Sequence, residues 1–269
     1  MKIPTGLVGL GLSNNVASSE KYNTLVDNLF LQGHINARAF SLYLNDLEAE
    51  SGTILFGGID RKKFVGDLAR LPIQLDSNSE SSDITSYTVN LDKFEVEGID
   101  NVSSLKVPVV LDSGSTISIL PSAQVDPLWD HFGVQEVQTT PLVDCKMMSK
   151  AKKTKYHFTF KGTTVTVPGS ELVIDYLSPD LQRQVASAIG VKWKNVCLFG
   201  ITSFDKYLTD PTATLAILGD TFLRSAYVVY DVDHSTIGIA QANVETKDSD
   251  IVMFQRNGSI PNVKGVDRK

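Results

Sequence analysis

Val109-Val110-Leu111-Asp112-Ser113-Gly114-Ser115-Thr116 decides the reading of this 269-residue chain. An apolar strand runs straight into an aspartate on a tight Asp-Ser-Gly turn. Desolvating a carboxylate without partners costs several kcal/mol, so one rarely closes a buried strand unless the turn holds it. Ser113, Gly114 and Ser115 are placed to supply those hydrogen bonds. Taken alone, the triplet also fits an ordinary Asx-type turn. The second half of the signal lies about a hundred residues on, where the chain reads Leu215-Ala216-Ile217-Leu218-Gly219-Asp220-Thr221 and then Tyr227-Val228-Val229-Tyr230-Asp231.

An Asp-Ser-Gly-Ser-Thr loop with a downstream Ile-Leu-Gly-Asp and an apolar last strand resembles the pepsin-like aspartic peptidases. The resemblance runs from Gly6 to about Ala240. Its flavour is that of the fungal secreted and cell-wall group, through Ser41-Leu42-Tyr43-Leu44-Asn45 and Gly52-Thr53-Ile54-Leu55-Phe56-Gly57-Gly58-Ile59-Asp60. It implies an all-β, bilobal fold in which each lobe carries one aspartate loop, clamped from beneath by a strand of two apolar residues and a glycine. By the same resemblance Asp112 is a catalytic aspartate, and Ser113, Gly114 and Ser115 support its loop. Gly114 and Thr116 would contact the main chain of a peptide or protein substrate. Ile217, Leu218 and Gly219 would be the clamp.

Gly6-Leu7-Val8-Gly9-Leu10-Gly11 looks like the first lobe's clamp, with Leu7, Val8 and Gly9 in the clamp positions. The aspartate loop belonging to it would fall before Met1, and the sequence contains no second Asp-Thr-Gly or Asp-Ser-Gly. Aspartic peptidases work through two close carboxylates that share a proton. One, ionised, takes a proton from the attacking water, while the other donates one to the scissile carbonyl. With a single aspartate of this kind, the chain is expected to be the carboxyl-terminal portion of an endopeptidase, inactive and poorly soluble by itself. The missing acid would come from a segment absent through an incomplete gene model, or from a separate amino-terminal chain after internal processing. Two other readings are a non-catalytic remnant or peptide-binding pseudoenzyme, and a symmetric dimer that brings two Asp112 loops face to face.

The expected division is a partial first lobe over 1–75, with a clamp strand and a helix, and a second lobe over 76–269 that ends in a polar tail from about 245. Leu25, Val26, Leu29 and Phe30 repeat at helical spacing, with Ser18 or Ser19 as cap and Gly33 as stop. Residues 39–45, 52–58, 68–75, 87–96 and 107–111 read as strands. Pro121–His131 reads as a helix closed by Gly133, and Ser178-Pro179 opens another. Residues 156–160 and 163–167 read as a hairpin turning at Lys161-Gly162. The polar run from Asp76 to Asp83 reads as a connection. Many strands, few helices and no βαβ alternation give an all-β class.

A net charge of −6 argues against a nucleic-acid partner, and no apolar run approaches the length of a membrane span. Met1-Lys2-Ile3-Pro4-Thr5-Gly6 does not read as a secretion leader. Cys145 and Cys197 lie where the resemblance places a second-lobe disulfide, with two buried reduced thiols as the alternative on composition alone. A bridge would close a loop of about 53 residues, worth about 4 kcal/mol on the chain-entropy view, and would imply an oxidising compartment. Asn101-Val102-Ser103 and Asn257-Gly258-Ser259 are glycosylation triplets that agree with it. The family implies the secretory pathway, ending outside the cell, in the wall or in a vacuole.

Rival motifs are weaker. The glycines at 6–11 have the wrong spacing for a dinucleotide loop. His34, His131, His157 and His234 are scattered, so neither a metal nor another cofactor is expected. Lys146, Lys150, Lys152, Lys153 and Lys155 form a basic cluster whose default reading is a solvated loop, with attraction of acidic substrate segments or an anionic wall polymer as the sharper one.

Overall fold

The structure is a computed structural model that describes residues 6–18, 20–75, 83–100, 102, 106–151, 153–175, 178–205 and 216–267. Ser19, the polar run 76–82, Asn101 and Ser103 of the first glycosylation triplet, Lys152 and Leu215 lie outside the described residues.

The architecture is all-β, as expected. A five-stranded antiparallel sheet runs in the order Thr53–Phe56, Ala39–Tyr43, Ala226–Asp231, Thr236–Ala242 and Phe64–Pro72. Of its three inner strands, Ala39–Tyr43 and Ala226–Asp231 are buried along their whole length. Period-2 alternation then sorts their side chains onto two faces. Phe40, Leu42, Val228, Tyr230, Ile237 and Ile239 enter a large core shared with the carboxyl-terminal half. Ala39, Tyr43, Tyr227, Val229 and Ala240 enter a second core together with Phe64 and Ile59. Phe40 stacks on Tyr230 at 4.5 Å on the first face, and Phe64 on Tyr227 at 5.1 Å on the second. This sheet takes strands from both sides of residue 75, so the two expected lobes are stitched together by main-chain pairing.

The second face explains a correction. The segment from about 245 is not a loose polar tail. Ile251–Met253 pairs antiparallel with Gly58–Asp60, and Val266 and Lys264 bridge to Val65 and Asp67. Phe254 and Ile260, both almost wholly buried, close the second core. Two apolar residues six apart carry no periodic signal, which is why composition alone marked the segment as polar.

Two more corrections fall in the amino-terminal part. The helix is Leu25–Leu31, capped by Thr24 rather than by Ser18 or Ser19. Thr24 N and Oγ1 both donate to Asp27 Oδ2, at 2.8 and 2.9 Å, so the third helical residue ties the first turn to the cap. Of residues 1–16, expected as a clamp strand and its exit turn, the described residues 6–12 have no strand structure. Leu7 is 97% and Val8 64% exposed.

The stretch 87–96, expected as one strand, divides at Asp92 into Thr88–Leu91 and Lys93–Val96, which enter different sheets, and the strand expected over 68–75 runs from Phe64 to Pro72. Several other expectations agree with the structure. The helix Ser122–Phe132 is capped at Pro121 and ends on Gly133 with φ +69°. Pro179–Ala188 is capped by the Ser178 hydroxyl. Lys155–Phe160 and Thr163–Pro168 form the hairpin, with φ positive at both Lys161 and Gly162. Cys145 and Cys197 are joined by a disulfide that ties the strand end at Asp144 to the strand Val196–Phe199. No helix among the described residues is long and apolar enough to cross a membrane.

Candidate functional site

Asp112 sits at the end of a strand held on both sides. Val107–Leu111 pairs antiparallel with Thr88–Leu91 and parallel with Ile217–Leu218, which also pairs antiparallel with Ser118–Ile119. The chain therefore leaves one strand at Asp112, turns, and returns as Ser118–Ile119. Ile217–Leu218 is threaded between the two legs. Asp112 N donates to Leu218 O at 3.1 Å, fixing the start of the turn to the threaded strand.

Inside the turn both carboxylate oxygens are held. Gly114 N donates to Oδ1 at 2.8 Å and Ser115 Oγ to Oδ2 at 2.7 Å. Charge-assisted bonds of this kind orient an ionised carboxylate strongly. No hydrogen bond joins Asp112 to another carboxylate among the described residues. A Cβ at Gly114 would stand 3.0 Å from Oδ1, so any side chain there would press on the carboxylate. Asp112 itself is half-buried, whereas Ser113, Gly114 and Thr116 are exposed, so the turn opens to solvent on its outer side. Beside Thr116 lies a mostly apolar groove of about 420 Å³, formed with Ile117, Thr140, Pro141, Ile174 and Leu198.

The support beneath is tighter than the sequence suggested. A Cβ at Gly219 would fall 2.3 Å from Ser115 O and 2.6 Å from Ile117 O, a clash with backbone that no rotamer relieves. Gly219 N donates to Ser118 Oγ, and Ser118 N to Thr221 Oγ1. Thr221 Oγ1 in turn donates to Gly200 O at 2.9 Å. Asp220 N and Thr221 N close the arrangement by donating to Ser115 O and Thr116 O. Ser118, Thr221 and Gly200 were not singled out from the sequence. No spacing rule marks them, since their partnership exists only once Ile217–Leu218 is threaded.

Asp220 is a second carboxyl close enough to feel Asp112. Burial pushes its pKa up to about 6, with Arg224 opposing and the charge of Asp112 adding to the rise. Its Oδ1 is buried and has no hydrogen-bond partner among the described residues. Arg224 is itself committed to the buried Glu171, whose backbone oxygen accepts from Nη2 at 2.7 Å. Glu171 also accepts from Leu47 N, a contact between the two halves of the chain.

The other residues singled out from the sequence are not brought here. Leu7, Val8 and Gly9 project into solvent, with nothing within 4 Å of a Cβ built on Gly9. Cys145, Cys197 and Asp175 place potential metal-binding atoms within 4.8 Å of one another, but the two sulfurs are spent on each other. In the basic cluster Lys146 pairs with Asp144, and Lys150 lies 5.6 Å over the Phe132 ring.

A model of the family described as eukaryotic aspartyl protease matches residues 2–242. The chain is 35% identical over 277 residues to a probable aspartic-type endopeptidase OPSB of Arthroderma benhamiae, covering 98% of the chain and 53% of the relative. It is 36% identical to an acid protease of Saccharomycopsis fibuligera, over 88% of the chain and 56% of the relative. To secreted aspartic protease 8 of Candida albicans it is 34% identical, over 92% and 51%. The chain thus spans about half the length of the curated relatives it matches.

Proposed function

The chain belongs to the eukaryotic aspartyl protease family, in its pepsin-like fungal branch, and we propose that it contributes Asp112 as one of the two carboxylates of an endopeptidase. The observation that carries this reading is the turn geometry. Both oxygens of Asp112 are oriented by Gly114 N and Ser115 Oγ, on a loop braced from below and open above. A carboxylate held in this way can accept a proton from a water on its exposed side. Paired with a protonated partner, it completes the exchange by which water is activated and the scissile carbonyl is polarised. Gly114 and Thr116 then face the substrate main chain, and the groove beside Thr116 takes an apolar side chain.

In this reading the partner carboxylate comes from outside these 269 residues, either from the same polypeptide or from a separate amino-terminal chain. Three things support it: the single Asp-Ser-Gly in the sequence, the uncovered Leu7 and Val8, and relatives of about twice the length. Residues 1–75 are then part of a first lobe and 76–269 the second. The compartment proposed is the secretory pathway and its destinations, the exterior, the cell wall or a vacuole. The disulfide supports it, and so does a relative that is secreted.

The test is a peptidase assay at acidic pH with residues 1–269 alone and with the upstream portion of the parent reading frame co-expressed. The chain alone is expected to be inactive and the combination active and pepstatin-sensitive. Asp112→Asn should lower the combined activity by about 10²–10⁴-fold or more. Pepstatin-sensitive cleavage by 1–269 alone would overturn the partner requirement. An unimpaired Asp112→Asn enzyme would overturn the role of Asp112.

A further inference from the structure

Asn257-Gly258-Ser259 stands apart from the aspartate loop and plays no part in the reading above, but its geometry is that of an acceptor. Gly258 N donates to Gln255 O at 2.9 Å, closing a tight turn at residues 255–258, and Asn257 takes the left-handed conformation with φ +56°. Phe254 and Ile260 are buried on either side. Between these two anchors Gln255, Arg256, Asn257 and Ser259 are all exposed. The triplet therefore protrudes as a short, firmly footed loop.

The side chain of Asn257 sets it apart from its neighbours. Asn36 Nδ2 donates to Phe254 O, and Asn243 Nδ2 to Lys62 O. Asn45 Oδ1 accepts from Glu245 N. Each of these amides ties together segments 181 to 218 residues apart. Among the described residues the Asn257 carboxamide makes no hydrogen bond; only its backbone N is engaged, with Asn36 O at 3.3 Å. A large polar group added to Asn257 Nδ2 thus breaks nothing and meets solvent.

We infer that Asn257 is an N-glycosylation site carrying an oligosaccharide of the asparagine-linked class. The inference rests on the secretory reading, because the donor, a lipid-pyrophosphate-linked oligosaccharide, is met in that pathway. Asn257 Nδ2 forms the bond to the anomeric carbon of the sugar. The bond from that carbon to phosphate breaks, the lipid pyrophosphate leaves, and the amide nitrogen loses one proton. Ser259 supplies the hydroxyl that makes the triplet an acceptor. The attached glycan projects into solvent from the exposed 255–259 loop.

The experiment uses the full chain recovered from a fungal secretory host, digested and treated with an amide-cleaving glycosidase in ¹⁸O-water. Conversion of residue 257 to labelled aspartate is expected. Asn257→Gln and Ser259→Ala should each abolish the label, while Ser259→Thr should keep it, which separates lost glycosylation from lost folding. The oxidation state of Cys145 and Cys197 is read in the same digest. Unmodified Asn257 in protein whose disulfide is formed overturns the glycan and leaves the secretory reading standing. Unmodified Asn257 with both cysteines reduced overturns the two together.

Discussion

Gly6-Leu7-Val8-Gly9-Leu10-Gly11 and Ala216-Ile217-Leu218-Gly219 are near-copies in sequence and opposites in structure. The second is a strand threaded between the two legs of the aspartate turn, with Leu218 wholly buried. The first has no strand structure and offers Leu7 and Val8 to water. Strand propensity expresses how well a segment fits between neighbours more than any intrinsic backbone preference. Two apolar residues and a glycine become a clamp only where there is a loop to clamp.

The comparison breaks most sharply at the glycines. Gly219→Ala places a methyl inside the contact distance of two backbone oxygens, so it should destabilise the protein by more than about 4 kcal/mol or prevent folding. Gly9→Ala, with open space around it, should change stability by no more than about 0.5 kcal/mol. Urea midpoints of the two variants check the pair. Equal midpoints would mean that the Ile217–Leu218 threading is not what holds the turn.

Next in size are the apolar partners. Leu218→Ala removes a side chain that is 0% exposed and should cost about 2–5 kcal/mol. Leu7→Ala removes one that already faces solvent and should be silent in thermal unfolding. If Leu7→Ala proves destabilising, the first segment has found a partner, for example in a second copy of the chain, and the contrast narrows.

Legibility followed locality. The aspartate turn, the hairpin at Lys161-Gly162, the helix stopped by Gly133 and the helix capped by Ser178 were readable because cap, turn and period lie within a few residues of each other. The disulfide was readable only through family resemblance, since two cysteines by themselves do not choose between a bridge and two thiols. What the sequence hid was long-range. Phe254 and Ile260 close a core whose other members lie far away in the chain. Ser118 and Thr221, 103 residues apart, meet only across the threaded strand. The Gly6–Gly11 segment has no strand structure for the converse reason, a local pattern with no strand paired against it among the described residues.

The hydroxyl network comes third in expected effect. Thr221→Ala leaves the buried Ser118 hydroxyl without its acceptor, although Ser118 N keeps Gly200 O at 3.0 Å, and should cost about 1–3 kcal/mol. Thr221→Ser, which keeps the oxygen, should recover most of that loss. Thermal unfolding of both variants measures it, and equal losses would assign the effect to packing of the Thr221 methyl group instead.

The smallest effect concerns Asp220, and it is legible only against pH. Its folded-state pKa, pushed up to about 6 by burial first, lies above its ordinary 3.8. The folded protein therefore binds this proton more tightly than the unfolded chain. The stability from this group is fully present below about pH 3.8 and is lost as pH rises through 6. Because the site is only part-buried, solvent screening reduces the swing to about 1 kcal/mol. Asp220→Asn removes the proton from the balance. Its unfolding midpoint should match the parent near pH 3 and exceed it modestly above pH 6. A constant offset between parent and variant across the whole range would mean that Asp220 acts through packing, and that the buried oxygen beside the aspartate loop carries no titrating charge.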